Sequence, residues 1–184
     1  MKMGREEYPL IKNLSMKIYL LFFSFMINTV LLAQEKPIAT DSIIVTGNLK
    51  SPSIIHMSQL LTMPSESLPD LTITNHLGEV KGVAKNMKGV LLKSILEKLS
   101  YEVPGPKQLS EFYFILMATD GYKVVYSWNE LFNNDAGNKV YLITEKDGKT
   151  MGASNERILI AHFSDFKTGR RYIKGLQQIL VKRS

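Results

Sequence analysis

No cysteine occurs among the 184 residues of the chain. Its absence excludes a disulfide framework, a thiolate zinc site, a cysteine nucleophile and any metal centre held by a protein thiolate. Histidine is scarce as well, and His56, His76 and His162 have no partner at ligand-like spacing, so a metal site would have to be assembled by the fold. Each of the three is read as a surface or capping histidine, with a histidine-based metal carrier as the weaker alternative. No Gly-x-Ser-x-Gly or comparable nucleophile setting is present. Asp120, Asp147, Glu130 and Glu145 show no acid/base pairing by spacing, so no catalytic residue is assigned.

Long hydrophobic runs are also lacking. The uncharged, mostly apolar stretch Ile18 to Ala33 would span about 24 Å as a helix, short of the roughly 30 Å hydrocarbon core of a bilayer. It follows Lys2, Arg5, Lys12 and Lys17 and ends on a small residue, so residues 1–33 read as a secretory signal peptide, with Met16 as an alternative start. An uncleaved membrane anchor is the competing reading. Without a cysteine at the cleavage region or an Arg-Arg pair, the leader suits unfolded export and no lipid attachment. The expected location is periplasmic or secreted, with membrane contact only through the transient leader.

Charge is unevenly placed. The chain carries a net charge of +6, but the six basic residues Lys167, Arg170, Arg171, Lys174, Lys182 and Arg183 lie in one C-terminal segment without an acid. Without them and the leader, the remainder has more acids than bases. A basic segment so poor in aromatics is no nucleic-acid interface, and no nucleic-acid partner is expected.

The residues from Gln34 onward suffice for one core. Period-two runs predict strands at Ser42–Thr46, Leu71–Thr74, Tyr122–Tyr126, Val140–Thr144, Arg157–His162 and Tyr172–Val181. Phe112–Met117 is a continuous apolar run that predicts a central strand buried on both faces. Asn75-His76-Leu77-Gly78, Asp120-Gly121 and Asp147-Gly148 are hairpin turns, and Ser127-x-x-Glu130 is a capping box that opens a short helix. Helical spacing marks His56–Thr62, and Leu91, Leu92, Ile95, Leu96 and Leu99 form one core stripe. Pro64–Asp70 and Lys85–Gly89 read as loop and linker. Trp128 is taken as a partly buried packing residue. About eight short strands joined by tight turns give an α+β domain with a mixed, largely antiparallel sheet.

The order of Gly47 to Pro52, Lys88-Gly89-Val90-Leu91-Leu92-Lys93-Ser94-Ile95-Leu96, Ala118 to Tyr122 and Thr168-Gly169-Arg170-Arg171-Tyr172-Ile173-Lys174 resembles the molybdopterin-binding domain of the sulfite oxidase family, in its short, stand-alone exported bacterial form. The resemblance runs from Ile43 to Val181. It implies that fold, and a molybdenum ligand at the position of Thr72 to Leu77, where the family has a cysteine and this chain offers Thr74, Asn75 and His76. An imidazole or amide does not replace a charged sulfur on this metal. No cofactor is therefore expected, although the resemblance alone would allow molybdopterin.

Near its C-terminal end the family turns basic residues to the substrate anion or pterin phosphate. As a strand, Arg170, Tyr172 and Lys174 would share one face. With Asn75 and His76 they are the candidate ligand-binding residues. A charged edge strand that resists strand addition is the competing reading. The functional expectation is a non-catalytic binding module for an envelope protein partner or a small anion; the alternative is a molybdopterin-dependent oxidoreductase-type protein that retains pterin or another redox cofactor.

Overall fold

A computed structural model describes residues 36–184; the expected signal peptide lies outside them. In chain order the described strands are β1 (Ser42–Gly47), β2 (Ser53–His56), β3 (Glu66–Leu68), β4 (Leu71–Thr74), β5 (Val80–Ala84), β6 (Met87–Leu91), β7 (Phe112–Ala118), β8 (Lys123–Ser127), β9 (Val140–Lys146), β10 (Lys149–Thr150), β11 (Leu159–His162) and β12 (Leu176–Arg183). Three short α-helices join them: α1 (Met57–Thr62), α2 (Leu92–Leu96) and α3 (Trp128–Phe132). One sheet runs β2-β1-β12-β7-β8, and only its β1–β12 pair is parallel. A second, antiparallel sheet runs β10-β9-β6-β3, with β11 also on β9. The β4–β5 hairpin stands by itself. The α+β class with mostly antiparallel sheets and few helices is therefore as expected.

Local chemistry explains the turns. Asp147 and Gly148 both take positive φ, 53° and 71°, which the tight β9–β10 turn needs and which Asp-Gly supplies at low cost. Asp120 Oδ1 accepts the Tyr122 N–H at 2.9 Å and fixes the β7–β8 turn. Ser127 Oγ accepts the Glu130 N–H and caps α3, but the expected capping box is only half made, because the Glu130 carboxylate turns to Arg171. Trp128 then stacks on Phe132 at 4.1 Å between ring centroids.

Several expectations are corrected by long-range pairing. Pro64–Asp70 is not all loop, because Glu66–Leu68 pairs with β6. Lys85–Gly89 is not a linker either, because Met87–Leu91 pairs with β9 and the helix begins only at Leu92. At Gly89 a Cβ would lie 3.0 Å from the Leu142 carbonyl oxygen, so the close approach of β6 to β9 favours glycine. Neither pairing leaves a trace in local periodicity.

β7 is central, between β12 and β8, but among the described residues only one of its faces is fully buried. Phe112, Phe114, Leu116 and Ala118 enter the common core, while Tyr113, Ile115 and Met117 turn the other way and are half-buried. Register places Ile54, Ile44, Gln178, Met117 and Lys123 in one outward row. Thr46, Leu180, Ile115 and Val125 form the next, followed by Lys182, Tyr113 and Ser127. No described helix is long and apolar enough to cross a membrane.

Candidate functional site

The site begins at the β4–β5 hairpin, where Asn75 makes the turn. Its Oδ1 accepts the N–H groups of Leu77 and Glu79, both at 3.0 Å, and its Nδ2 donates to Glu79 Oε2 at 2.8 Å. All of its polar atoms are committed to the loop, the usual work of an asparagine in such a turn. His76 is exposed at the tip, and Gly78 follows with φ 97°.

This hairpin is clipped to a 3-10 turn, Thr168–Arg171. Thr168 Oγ1 donates to the Thr72 carbonyl at 2.6 Å and accepts the Thr74 N–H at 3.0 Å. A Cβ on Gly169 would stand 1.8 Å from the Thr74 oxygen, so no other residue fits there without moving the hairpin. The strand expected across Arg170–Lys174 is thus replaced by a turn, followed by a single bridge between Ile173 and Ile160. Alternation no longer decides which side chains share a face.

Arg170 is exposed, and its carbonyl accepts from Tyr122 Oη at 2.6 Å. Arg171 turns inward. It grips both oxygens of Asp165, reaches Glu130 and lies over the Tyr126 ring, 4.9 Å from its centroid. Burial opposes its charge, but the bonds to Asp165 and Glu130 outweigh that and raise its pKa further. Tyr172 is buried, and its Oη has no hydrogen-bond partner. The ammonium groups of Lys146 and Lys174 lie 5.8 and 5.7 Å from its ring centroid.

Both lysines pair with Glu156. Burial works against the Glu156 charge, and the two lysines overcome it, holding the carboxyl below its ordinary range. Burial pushes the Tyr172 phenol up, with nearby Lys146 acting in the opposite sense. A pocket of about 240 Å³ lies here, lined by Pro37, Ala118, Asp120, Tyr122, Gly169, Tyr172 and Lys174. Lys146 and Glu156 themselves line a second cavity of about 390 Å³.

Of the five expected ligand-binding residues, Tyr172 and Lys174 share this pocket. Arg170 reaches it only through the backbone contact to Tyr122. Asn75 and His76 lie on the hairpin clipped to the same turn but do not line the cavity.

Sequence reasoning missed a second cluster. His162, expected at the surface or as a cap, is almost wholly buried at the end of β11. Its Nε2 meets Ser164 Oγ at 2.8 Å; its Nδ1 lies 3.3 Å from Asp165 Oδ1 without hydrogen-bond geometry. Burial, and then Arg171, depress its pKa against the pull of Asp165 and Glu130. Although Ser, His and Asp stand in relay order, the imidazole lacks its carboxylate hydrogen bond and Arg171 holds both Asp165 oxygens, so no nucleophile is assembled. The apolar run Leu159–Ala161 leading straight into His162 was the one available signal. His56 does cap: it precedes α1, and its N–H donates to Gln59 Oε1 at 2.9 Å.

The family's molybdenum does not fit the donors present. Thr74 Oγ1 is buried without a partner, Asn75 is spent on its turn and His76 is exposed; none is a soft anionic ligand. Among the described residues no group of three or more His, Asp or Glu could hold a metal ion.

No family model and no curated protein matches the chain. Among solved structures it is similar to the sulfane dehydrogenase SoxCD from Paracoccus pantotrophus, with a TM-score of 0.52 and 11% identity. The match covers 83% of this chain and 45% of that one, so the chain spans less than half the length of its structural neighbour. At this identity the likeness is one of fold.

Proposed function

We propose that the protein is an exported, non-catalytic binding module of the sulfite-oxidase-like type, and that it takes a small oxyanion at the Tyr172–Lys174 pocket. The sequence resemblance and the fold likeness to SoxCD support the family. The missing cysteine and the committed Asn75 argue against its metal chemistry.

One observation carries the anion reading. Two ammonium groups, Lys146 and Lys174, share the single carboxylate of Glu156 around a buried phenol that has no acceptor, with a cavity on the Lys174 side. An oxyanion there would compensate the second ammonium and give Tyr172 an acceptor after a small side-chain adjustment. Asp120 on the wall disfavours highly charged ligands, so a small singly charged oxyanion suits the site best.

The test is a thermal-shift titration with sulfite, nitrate, formate and phosphate at low ionic strength. Binding to the native state raises the midpoint by mass action. The expected result is a shift with at least one small oxyanion that is lost in Lys174→Ala and weakened in Tyr172→Phe. No shift with any of them, or one unchanged in Lys174→Ala, would remove the anion site.

A further inference from the structure

The outward face of the first sheet is apolar where a solvated antiparallel sheet is ordinarily polar. Ile44, Ile54 and Val125 are 48%, 55% and 55% exposed, and Ile115, Met117 and Leu180 fill the centre between them. Those central residues are half-buried because their cross-strand neighbours shelter them; no described element packs on top. The six-residue apolar run of β7 has the composition of a strand covered on both sides, and the described residues cover only one.

Charge and area narrow what would cover it. Lys123 and Lys182 stand at opposite ends of the face, His56 is at one corner, and no carboxylate occupies an outward position of the five strands. Two copies meeting face to face would bring together lysines without an acid to answer them. Five strands about 4.8 Å apart and three rows of side chains give a face of about 24 by 14 Å. That is well below the roughly 800 Å² per partner of a stable interface between whole domains. It does match one helix about 10 Å wide and about 16 residues long.

From this we infer that the outward face of the first sheet is a docking site for an amphipathic helix of another envelope protein, with an apolar stripe flanked by acidic residues. Ile44, Ile115, Leu180 and Val125 receive the stripe, and Lys123 and Lys182 pair with its flanks. No outward side chain of this face lines the Tyr172–Lys174 pocket, so the docking site stands without the anion site; only the partner's place in the envelope rests on the export reading above.

A photo-cross-linking benzoylphenylalanine at Val125 of the full chain, expressed in its native host, tests the inference, with the same group at exposed Leu77 as control. The expected result is one adduct, from Val125 alone, whose partner peptide is an amphipathic sequence with acidic flanks. Charge reversal by Lys123→Glu with Lys182→Glu should cut that adduct at least tenfold without moving the thermal midpoint. No adduct, equal labelling from Leu77, or insensitivity to charge reversal would overturn it. So would an adduct with a second copy, with phospholipid, or with residues 1–35 of the same chain.

Discussion

Arg171 and Lys174 are three residues apart, and the clusters around them are built in opposite ways. Arg171 is one cation answered by two carboxylates, Asp165 and Glu130, with its guanidinium over an aromatic ring. At Lys174 two cations share one carboxylate beside a phenol that lacks a partner. The first arrangement is closed: an added anion would meet surplus negative charge. In the second, Lys174 has only a carboxylate shared with Lys146 and stands next to a cavity whose wall also carries Asp120. Basic composition alone does not separate the two clusters; the number of carboxylates paired with each cation does.

The comparison is broken most strongly at Arg171. Replacing Arg171 with Leu strands two partly buried carboxylates, for a loss of about 2 kcal/mol once discounted for their remaining solvent contact. For a domain of this size that lowers the melting midpoint by about 4–8 °C, measurable by circular dichroism. Arg171→Lys should recover only part of the loss, because an ammonium cannot hold Asp165 through two parallel bonds.

A smaller effect is expected from pH. The folded state depresses the His162 pKa, so the unfolded chain takes up a proton more readily. The stability linked to neutral His162 is complete above its unfolded value of about 6.5 and is lost as pH falls through the lower folded value. The groups facing the ring are Arg171, Asp165, Glu130 and Tyr126. Denaturant midpoints should decline from about pH 6.5 downward, and the decline should flatten in His162→Gln. An unchanged slope in that variant would assign the pH dependence to other groups.

The smallest effect on stability belongs to Lys174→Ala. Glu156 keeps Lys146, and Lys174 is more than a third exposed, so the screened cost is below about 1 kcal/mol. Its consequence should be the lost anion response. A large destabilisation without that loss would make Lys174 structural, like Arg171.

Legibility in the sequence followed the range of the interactions. The Asp120-Gly121 and Asp147-Gly148 turns, the Ser127 cap and the Asn75 loop depend on contacts within a few residues, and all could be read directly. β3 and β6 exist through long-range pairing that ends at β9, so Pro64–Asp70 and Lys85–Gly89 looked unstructured. The Arg170–Lys174 pattern suggested a strand because nothing local reveals that Thr168 bonds residues 94 and 96 positions earlier. Tyr172 and Lys174 stay in the candidate site despite that error, because the turn and the single bridge still bring them to one cavity. His162 escaped notice because Tyr126, Glu130 and Arg171 reach it from separate elements.

The central proposal is that the chain, similar in fold to SoxCD, works without the molybdenum of the sulfite oxidase family that its sequence resembles. Elemental analysis of protein isolated from the native envelope, with its visible absorption spectrum, tests this most directly. The prediction is a colourless protein without stoichiometric molybdenum. Stoichiometric molybdenum would contradict it and restore the oxidoreductase reading.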